Sequence, residues 1–256
     1  MLNRILLIVA ISAFMTTACL DSGETPTKDG PSENKAEAEA KTGDDPVDKV
    51  QASDAGICGN EFYPIDTSVE RKYKETGDVS AKYELSQETT GEDSFSEVRE
   101  FESGMKITVN WLCTEDGLRT AEFNSSADFS KGAFKMATLE SSGVTLPKEW
   151  AEGKKWQAVY KVKGELSAGP VKGSADGTVT VNSKIVSLKD SVKVAGGEFE
   201  AARVDVEIKM DLSMRGRKIP SRPMKMSNWY SKDVGLVKQT ASTQFGKTGI
   251  EYTGKK

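Results

Sequence analysis

Three cysteines, a cluster of methionines and a run of arginines and lysines are the residues of this chain with chemistry to offer. The absence of any histidine limits what that chemistry can be. Without histidine there is no Ser-His-Asp or Cys-His relay and no histidine-ligated metal site. Met210, Met214, Met224 and Met226 are half of the eight methionines and fall within 17 residues. Flexible thioethers suit an adaptable apolar cavity that takes a lipid or lipopeptide, with ordinary core packing as the plainer alternative. Met224 and Met226 also have a soft-metal spacing, but no histidine or nearby cysteine completes a copper site, so no metal is expected. From Arg215 to Lys232 the bases are Arg215, Arg217, Lys218, Arg222, Lys225 and Lys232, with no acid among them. Gly216, Pro220 and Pro223 predict a loop over 215–223, either a contact for anionic headgroups and phosphorylated glycans or a solvated hairpin tip. The patch is too local, and too poor in interleaved aromatics, to bind nucleic acid. Asp205 and Glu207 share a strand face with Arg203 and Lys209 beside them, which reads as a solvated, charge-balanced surface. No phosphate loop, nucleophile elbow or metal-ligand cluster is present, so neither an enzyme nor a cofactor is expected.

The cysteines depend on where the chain goes. Arg4 and the apolar run Ile5–Phe14, followed by Thr16, Thr17 and Ala18, have the order of an export signal over residues 1–18. Ten apolar residues are too few to span a bilayer. Thr-Thr-Ala-Cys at 16–19 resembles the lipobox of bacterial lipoproteins, whose cysteine becomes the diacylated N-terminus. A plain secretory cleavage of the same bond is the alternative. Parity favours lipidation of Cys19: Cys58 and Cys113 are then an even pair, free to form a disulfide outside the cytoplasm. Leu20 after the cysteine, where aspartate is absent, points to sorting to the outer membrane of a two-membrane envelope. The expected location is therefore the bacterial envelope, facing the periplasm or the cell surface.

Residues 19–56 hold ten acids against four lysines and no aromatic residue. They cannot bury enough apolar area to offset the entropy of ordering, and predict a disordered tether spanning about 35 Å. The remaining 200 residues, 57–256, hold all the aromatics but Phe14 and form one β-rich domain. In Met105–Cys113 every odd position is apolar. Over 203–214, Val204, Val206, Ile208, Met210, Leu212 and Met214 alternate with polar residues, the signature of an antiparallel strand with one buried face. Gly196-Gly197 predicts a hairpin turn between that strand and the run 184–194. Further strands are predicted at 79–86, 95–102, 118–123, 133–139, 157–163, 177–182, 225–231, 234–241 and 249–253. A helical turn is expected only over Lys148–Trp156.

Four stretches carry a family resemblance: Tyr63-Pro64-Ile65 with Tyr73; Leu146-Pro147 with Gly153 and Trp156; VKVAGGEFEAARV at 192–204; and NWYSKDVGLVK at 228–238. Together they resemble the TapB-like envelope domains and, more remotely, the LolA and LolB lipoprotein carriers. The resemblance implies a single antiparallel, strongly curved sheet, a half-barrel or β-clam, whose concave face holds an apolar ligand. It carries no catalytic residue to this chain. The expected partners are therefore the membrane through the N-terminal lipid and a lipid or lipopeptide ligand. A filled interior would instead mark a structural or assembly lipoprotein that binds an envelope protein. Trp156, Phe199, Trp229 and Tyr230 supply apolar area to close the core.

Overall fold

The computed structural model describes residues 56–77, 80–123, 126–127, 134–168, 171–243 and 246–256. Cys19, the signal and the tether to residue 55 lie outside the described residues. Among the described residues a 3-10 turn at Gly56–Cys58 is followed by fifteen strands. The first eight are β1 (Arg71–Thr76), β2 (Lys82–Gly91), β3 (Ser94–Phe101), β4 (Lys106–Thr114), β5 (Gly117–Thr120), β6 (Ser126–Ala127), β7 (Phe134–Gly143) and β8 (Leu146–Pro147). The rest are β9 (Lys155–Ala168), β10 (Val171–Val194), β11 (Gly197–Met214), β12 (Arg217–Ile219), β13 (Met224–Ser231), β14 (Gly235–Thr243) and β15 (Gly246–Lys255).

All strand pairs are antiparallel and belong to one sheet in the order β7-β9-β10-β11-β13-β14-β15-β1-β2-β3-β4-β5-β8. Most neighbours are consecutive in the chain, while β7–β9, β11–β13 and β5–β8 skip one or two strands. The long-range pair is β1 with the C-terminal β15, which joins an N-terminal meander to a C-terminal one.

Alternation decides which face is buried. In β4, Ile107, Val109, Trp111 and Cys113 are buried while Lys106 and Asn110 are exposed. In β11, Val204, Val206 and Ile208 are buried, opposite the polar row of Arg203, Asp205, Glu207 and Lys209. Cross-strand partners share a face, so the inward row of β11 continues into Tyr230 and Met226 of β13 and into Val179 and Val181 of β10.

The sheet does not close into a barrel by a continuous ladder, yet its two edge strands are consecutive stretches of chain. β7 pairs with β9 down to Gly143, and the backbone then changes partner. The Val144 N–H donates to the Gln157 carbonyl (3.1 Å) and the Thr145 N–H to the Leu118 carbonyl (2.7 Å). Two glycines permit this seam. Gly143 has φ +74° and would place a Cβ 2.1 Å from the Gln157 oxygen; Gly117 has φ +140° and would place one 2.2 Å from the Leu146 oxygen. A side chain at either position would be strained and would also push the strands apart.

Residues 56–66 lie across one end of the inner face. Phe62 and Tyr63 are buried, and the Tyr63 ring packs against Trp111, Phe95 and Tyr230. A disulfide between Cys58 and Cys113 holds this segment to β4. Asn60 adds a donor to the Pro147 carbonyl (2.9 Å) and accepts from the Trp150 indole (3.1 Å).

Several local expectations need correction. Lys148–Trp156 forms no helical turn: the chain bends, turns at Glu152-Gly153, and Trp156 already belongs to β9. Its indole reaches back to the Thr145 carbonyl (3.0 Å), which the extended backbone allows. The hairpin turn is Ala195-Gly196, with Gly197 the first residue of β11, because Gly196 sits under the Tyr252 ring where a Cβ would lie 2.6 Å away. The loop expected over 215–223 is shorter, since Arg217–Ile219 pair with β11 as β12 after a turn at Arg215-Gly216. The runs 177–182 and 184–194 are one strand, β10, and β1 has no counterpart among the strands expected from the sequence.

Candidate functional site

The inner face is not uniformly apolar. β3 turns Phe95, Glu97, Arg99 and Phe101 inward, so a carboxylate and a guanidinium stand between two aromatic rings. The Glu97 side chain is fully buried. Tyr63 donates its hydroxyl to Glu97 Oε2, and Arg99 donates to Oε1 through Nε (2.8 Å) and Nη2 (2.7 Å). On β1, Arg71 is also buried. Its Nη1 donates to Gln87 Oε1 (2.9 Å) and its Nη2 to the Pro64 carbonyl (3.3 Å). The Asp66 N–H donates to the same Gln87 oxygen (3.0 Å), which fixes the segment crossing the inner face.

These groups line a cavity of about 310 Å³. Tyr63, Tyr73, Tyr83, Trp111, Tyr160 and Tyr230 supply aromatic walls; Leu85, Val109, Val181 and Met226 supply aliphatic and thioether surface. Most of the tyrosine hydroxyls are tied down. Tyr73 donates to the Leu236 carbonyl (2.9 Å), Tyr160 shares a proton with Thr120 (2.6 Å), and Tyr230 accepts from Asn228 Nδ2 (3.2 Å). The volume falls at the lower end of the range for small-molecule sites, and a mostly apolar wall with a few convergent polar groups is their usual make-up.

Burial sets the electrostatics here. It pushes the Tyr63, Tyr73 and Tyr83 phenols well up, with the Glu97 carboxylate adding to the effect, and raises Tyr230 to about 12. Burial opposes the charge on Arg99, but Glu97, Tyr83 and Tyr63 outweigh it and raise the guanidinium pKa. A phenol whose folded pKa is raised favours the folded state while it is neutral. In the unfolded chain the same phenol ionises near pH 10. Stability is therefore expected to hold below about pH 10 and to fall steeply above it, for Tyr230 up to about 12. Urea unfolding midpoints between pH 8 and 11 check this, and a midpoint that stays flat would contradict phenol burial.

A second concavity, of about 650 Å³, runs over the polar face of the same strands and is lined by Lys184, Asp205, Glu207, Lys225, Ser227 and Thr240 among others. It is the surface that Asp205 and Glu207 occupy, and each carboxylate has its own cation: Arg203 at 3.1 Å and Lys209 at 3.0 Å. These pairs are solvated and hold no orphaned buried group.

Residues singled out in the sequence lie as follows. Cys58 and Cys113 are joined. Met210, Met214, Met224 and Met226 share the inner face and are all half-buried, but only Met226 lines the inner cavity. The other three continue the apolar face toward the β11–β12 tip. Arg215, Arg217 and Lys218 at that tip, Arg222 between β12 and β13, and Lys225 on β13 opposite Glu207 are exposed and take part in no ion pair among the described residues. Lys232, by contrast, pairs with Glu61. Sequence reasoning missed Arg71, Gln87, Glu97 and Arg99. A signal existed in Phe95-Ser-Glu97-Val-Arg99-Glu-Phe101, where period two places the charges on the face of the two phenylalanines.

Residues 105–249 match the DUF3108-like family. No curated protein matches the chain. Two solved structures are similar. One is a protein inferred to be exported, with a YmcC-like fold, from Bacteroides fragilis; it is 13% identical, with 77% of this chain and 100% of that chain covered at a TM-score of 0.46. The other is a protein inferred to be a lipoprotein, from Parabacteroides distasonis; it is 14% identical, with 78% and 99% covered at a TM-score of 0.45.

Proposed function

The chain belongs to the DUF3108-like family, and for this member we propose a non-enzymatic role: an envelope lipoprotein, anchored through Cys19, that binds or carries an amphiphilic molecule in its sheet. The observation that carries the reading is the inner cavity of about 310 Å³, whose wall combines aromatic and aliphatic surface with buried charged groups. A ligand that is apolar along its length and polar at one end matches both. The likeness of four motifs to TapB-like domains and to the LolA and LolB carriers belongs to the same proposal. So does outer-membrane sorting from Leu20.

One experiment tests anchor and cargo together. The wild-type chain, expressed with its own signal in a two-membrane bacterium, is expected in the membrane fraction, and Cys19→Ala is expected to release it. The released protein, purified without detergent, is expected to show in native mass spectrometry a reproducible added mass that organic solvent removes. Retention of the variant in membranes would sink the anchor. A bare protein mass, unchanged after incubation with envelope lipids, would sink the cargo. One observation favours a second reading, an assembly lipoprotein that docks on an acidic partner: Arg215, Arg217 and Lys218 at the β11–β12 tip and Arg222 beyond it are exposed and form no ion pair among the described residues. A bare mass together with a co-purifying acidic envelope protein would support it.

A further inference from the structure

The inner cavity holds a buried cation that has no ion pair. Of the charged groups on its wall, Glu97 and Arg99 neutralise each other, whereas Arg71 has no carboxylate partner. No ion pair among the described residues includes Arg71, and both of its hydrogen-bond acceptors, the Gln87 side chain and the Pro64 carbonyl, are neutral. Its third donor, Nε, is buried with no partner at all, and the residue is only 3% exposed. Two other acids stand nearby without pairing to it: Asp66 in the segment crossing the inner face, whose carboxyl is held low by its own Ser68 contacts more than by Arg71, and half-buried Glu122 on the cavity wall. A second wall residue, Trp111, has the same defect: its indole N–H is buried and unpaired. Burying a guanidinium among neutral partners is costly, and an unmet buried donor adds to the cost. Such groups are rare in native folds, and one on a cavity wall calls for an acceptor that the chain itself does not supply.

We infer that the occupant of this cavity is an anionic amphiphile, with a carboxylate or phosphate head that completes the charge at Arg71 and an alkyl chain that lies along Val109, Val181 and Met226. The inference rests on the binding role proposed above and names its ligand class. An oxyanion suits Arg71 because a planar guanidinium presents its donors in a fork that matches two oxygens. The apolar part of the wall requires the rest of the ligand to be hydrocarbon. A neutral lipid of the same length would leave the guanidinium as it is, and a cationic one would add repulsion.

The test is a set of ten-carbon probes titrated calorimetrically, below their micelle concentrations, into the full exported chain carrying Cys19→Ala. The probes are decanoate, decyl phosphate, decanol and decylamine. At least one of the two anions is expected to bind tenfold or more tighter than decanol, with decylamine weakest; which anion leads separates a carboxylate from a phosphate source. Arg71→Gln is expected to bring the anion down to the level of decanol, and Arg71→Lys to keep part of the preference. Decanol binding as well as both anions would overturn the inference and leave the binding role standing. No binding by any probe would count against the binding role itself. An anion preference that survives Arg71→Gln would move the head group away from Arg71 and overturn this assignment. If Arg71→Gln does not fold, the wild-type ranking and Arg71→Lys still decide.

Discussion

Replacing Glu97 by leucine is expected to destabilise the domain by about 3–5 kcal/mol, the usual cost of removing one partner from a buried ion pair. The carboxylate is fully buried and accepts from both Arg99 and Tyr63. Its loss leaves the Tyr63 hydroxyl buried without an acceptor and the partly exposed Arg99 guanidinium without its carboxylate. The effect lies in the unmet partners more than in the strength of the pair. The double variant Glu97→Leu/Arg99→Leu should therefore regain most of the loss, short of what the orphaned Tyr63 hydroxyl still costs. Guanidinium unfolding curves at matched slope measure both. A loss below about 1 kcal/mol in the single variant would mean that water reaches the pair and screens it as on a surface.

The second large effect is at the staple. Cys58 and Cys113 are 55 residues apart, and a closed loop of that length lowers unfolded-chain entropy by about 4 kcal/mol at 25 °C, an upper figure for the double Cys→Ser variant. Where the loss appears is as informative as its size. The bridge ties down the segment that carries Phe62 and Tyr63, and Tyr63 in turn supplies the hydroxyl on Glu97. Without it, residues 56–66 should become the first site of limited proteolysis within the β domain, and the cavity should open at that end. Non-reducing peptide mapping should find Cys58 linked to Cys113 in the exported chain. Free thiols at both positions, or an unfolding midpoint unmoved by reduction, would remove the staple from the account.

The two predictions meet at Tyr63, which shows how segments distant in sequence build the site. Tyr63 comes from the stapled segment, Arg71 from β1, Glu97 and Arg99 from β3, Trp111 from β4, Tyr160 from β9 and Tyr230 from β13. The pairing of β1 with β15 and the seam at Gly143–Leu146 bring the N-terminal and C-terminal meanders over one concavity, and the first of these is the long-range one. That pairing joins residues some 180 positions apart and leaves no local pattern, and the six residues of β1, RKYKET, are too charged to read as a strand by alternation.

By itself the sequence determined the mainly antiparallel β class, because side-chain alternation is a local property with a period of two. The runs at 105–113 and 203–214 show it residue by residue. It also determined the even cysteine pair, the polar outer row of Asp205 and Glu207, and an inner face shared by the four methionines, since these follow from composition and period. Only the tertiary structure decided which charges face inward and what meets them. In β3 the alternation of Glu97 and Arg99 looks the same whether their side is wet or dry. It is the Tyr63 segment, laid over that face and held by the disulfide, that shuts out water. Burial belongs to the arrangement of distant segments, and so does the unpaired state of Arg71, which a chain of residues taken one at a time cannot express.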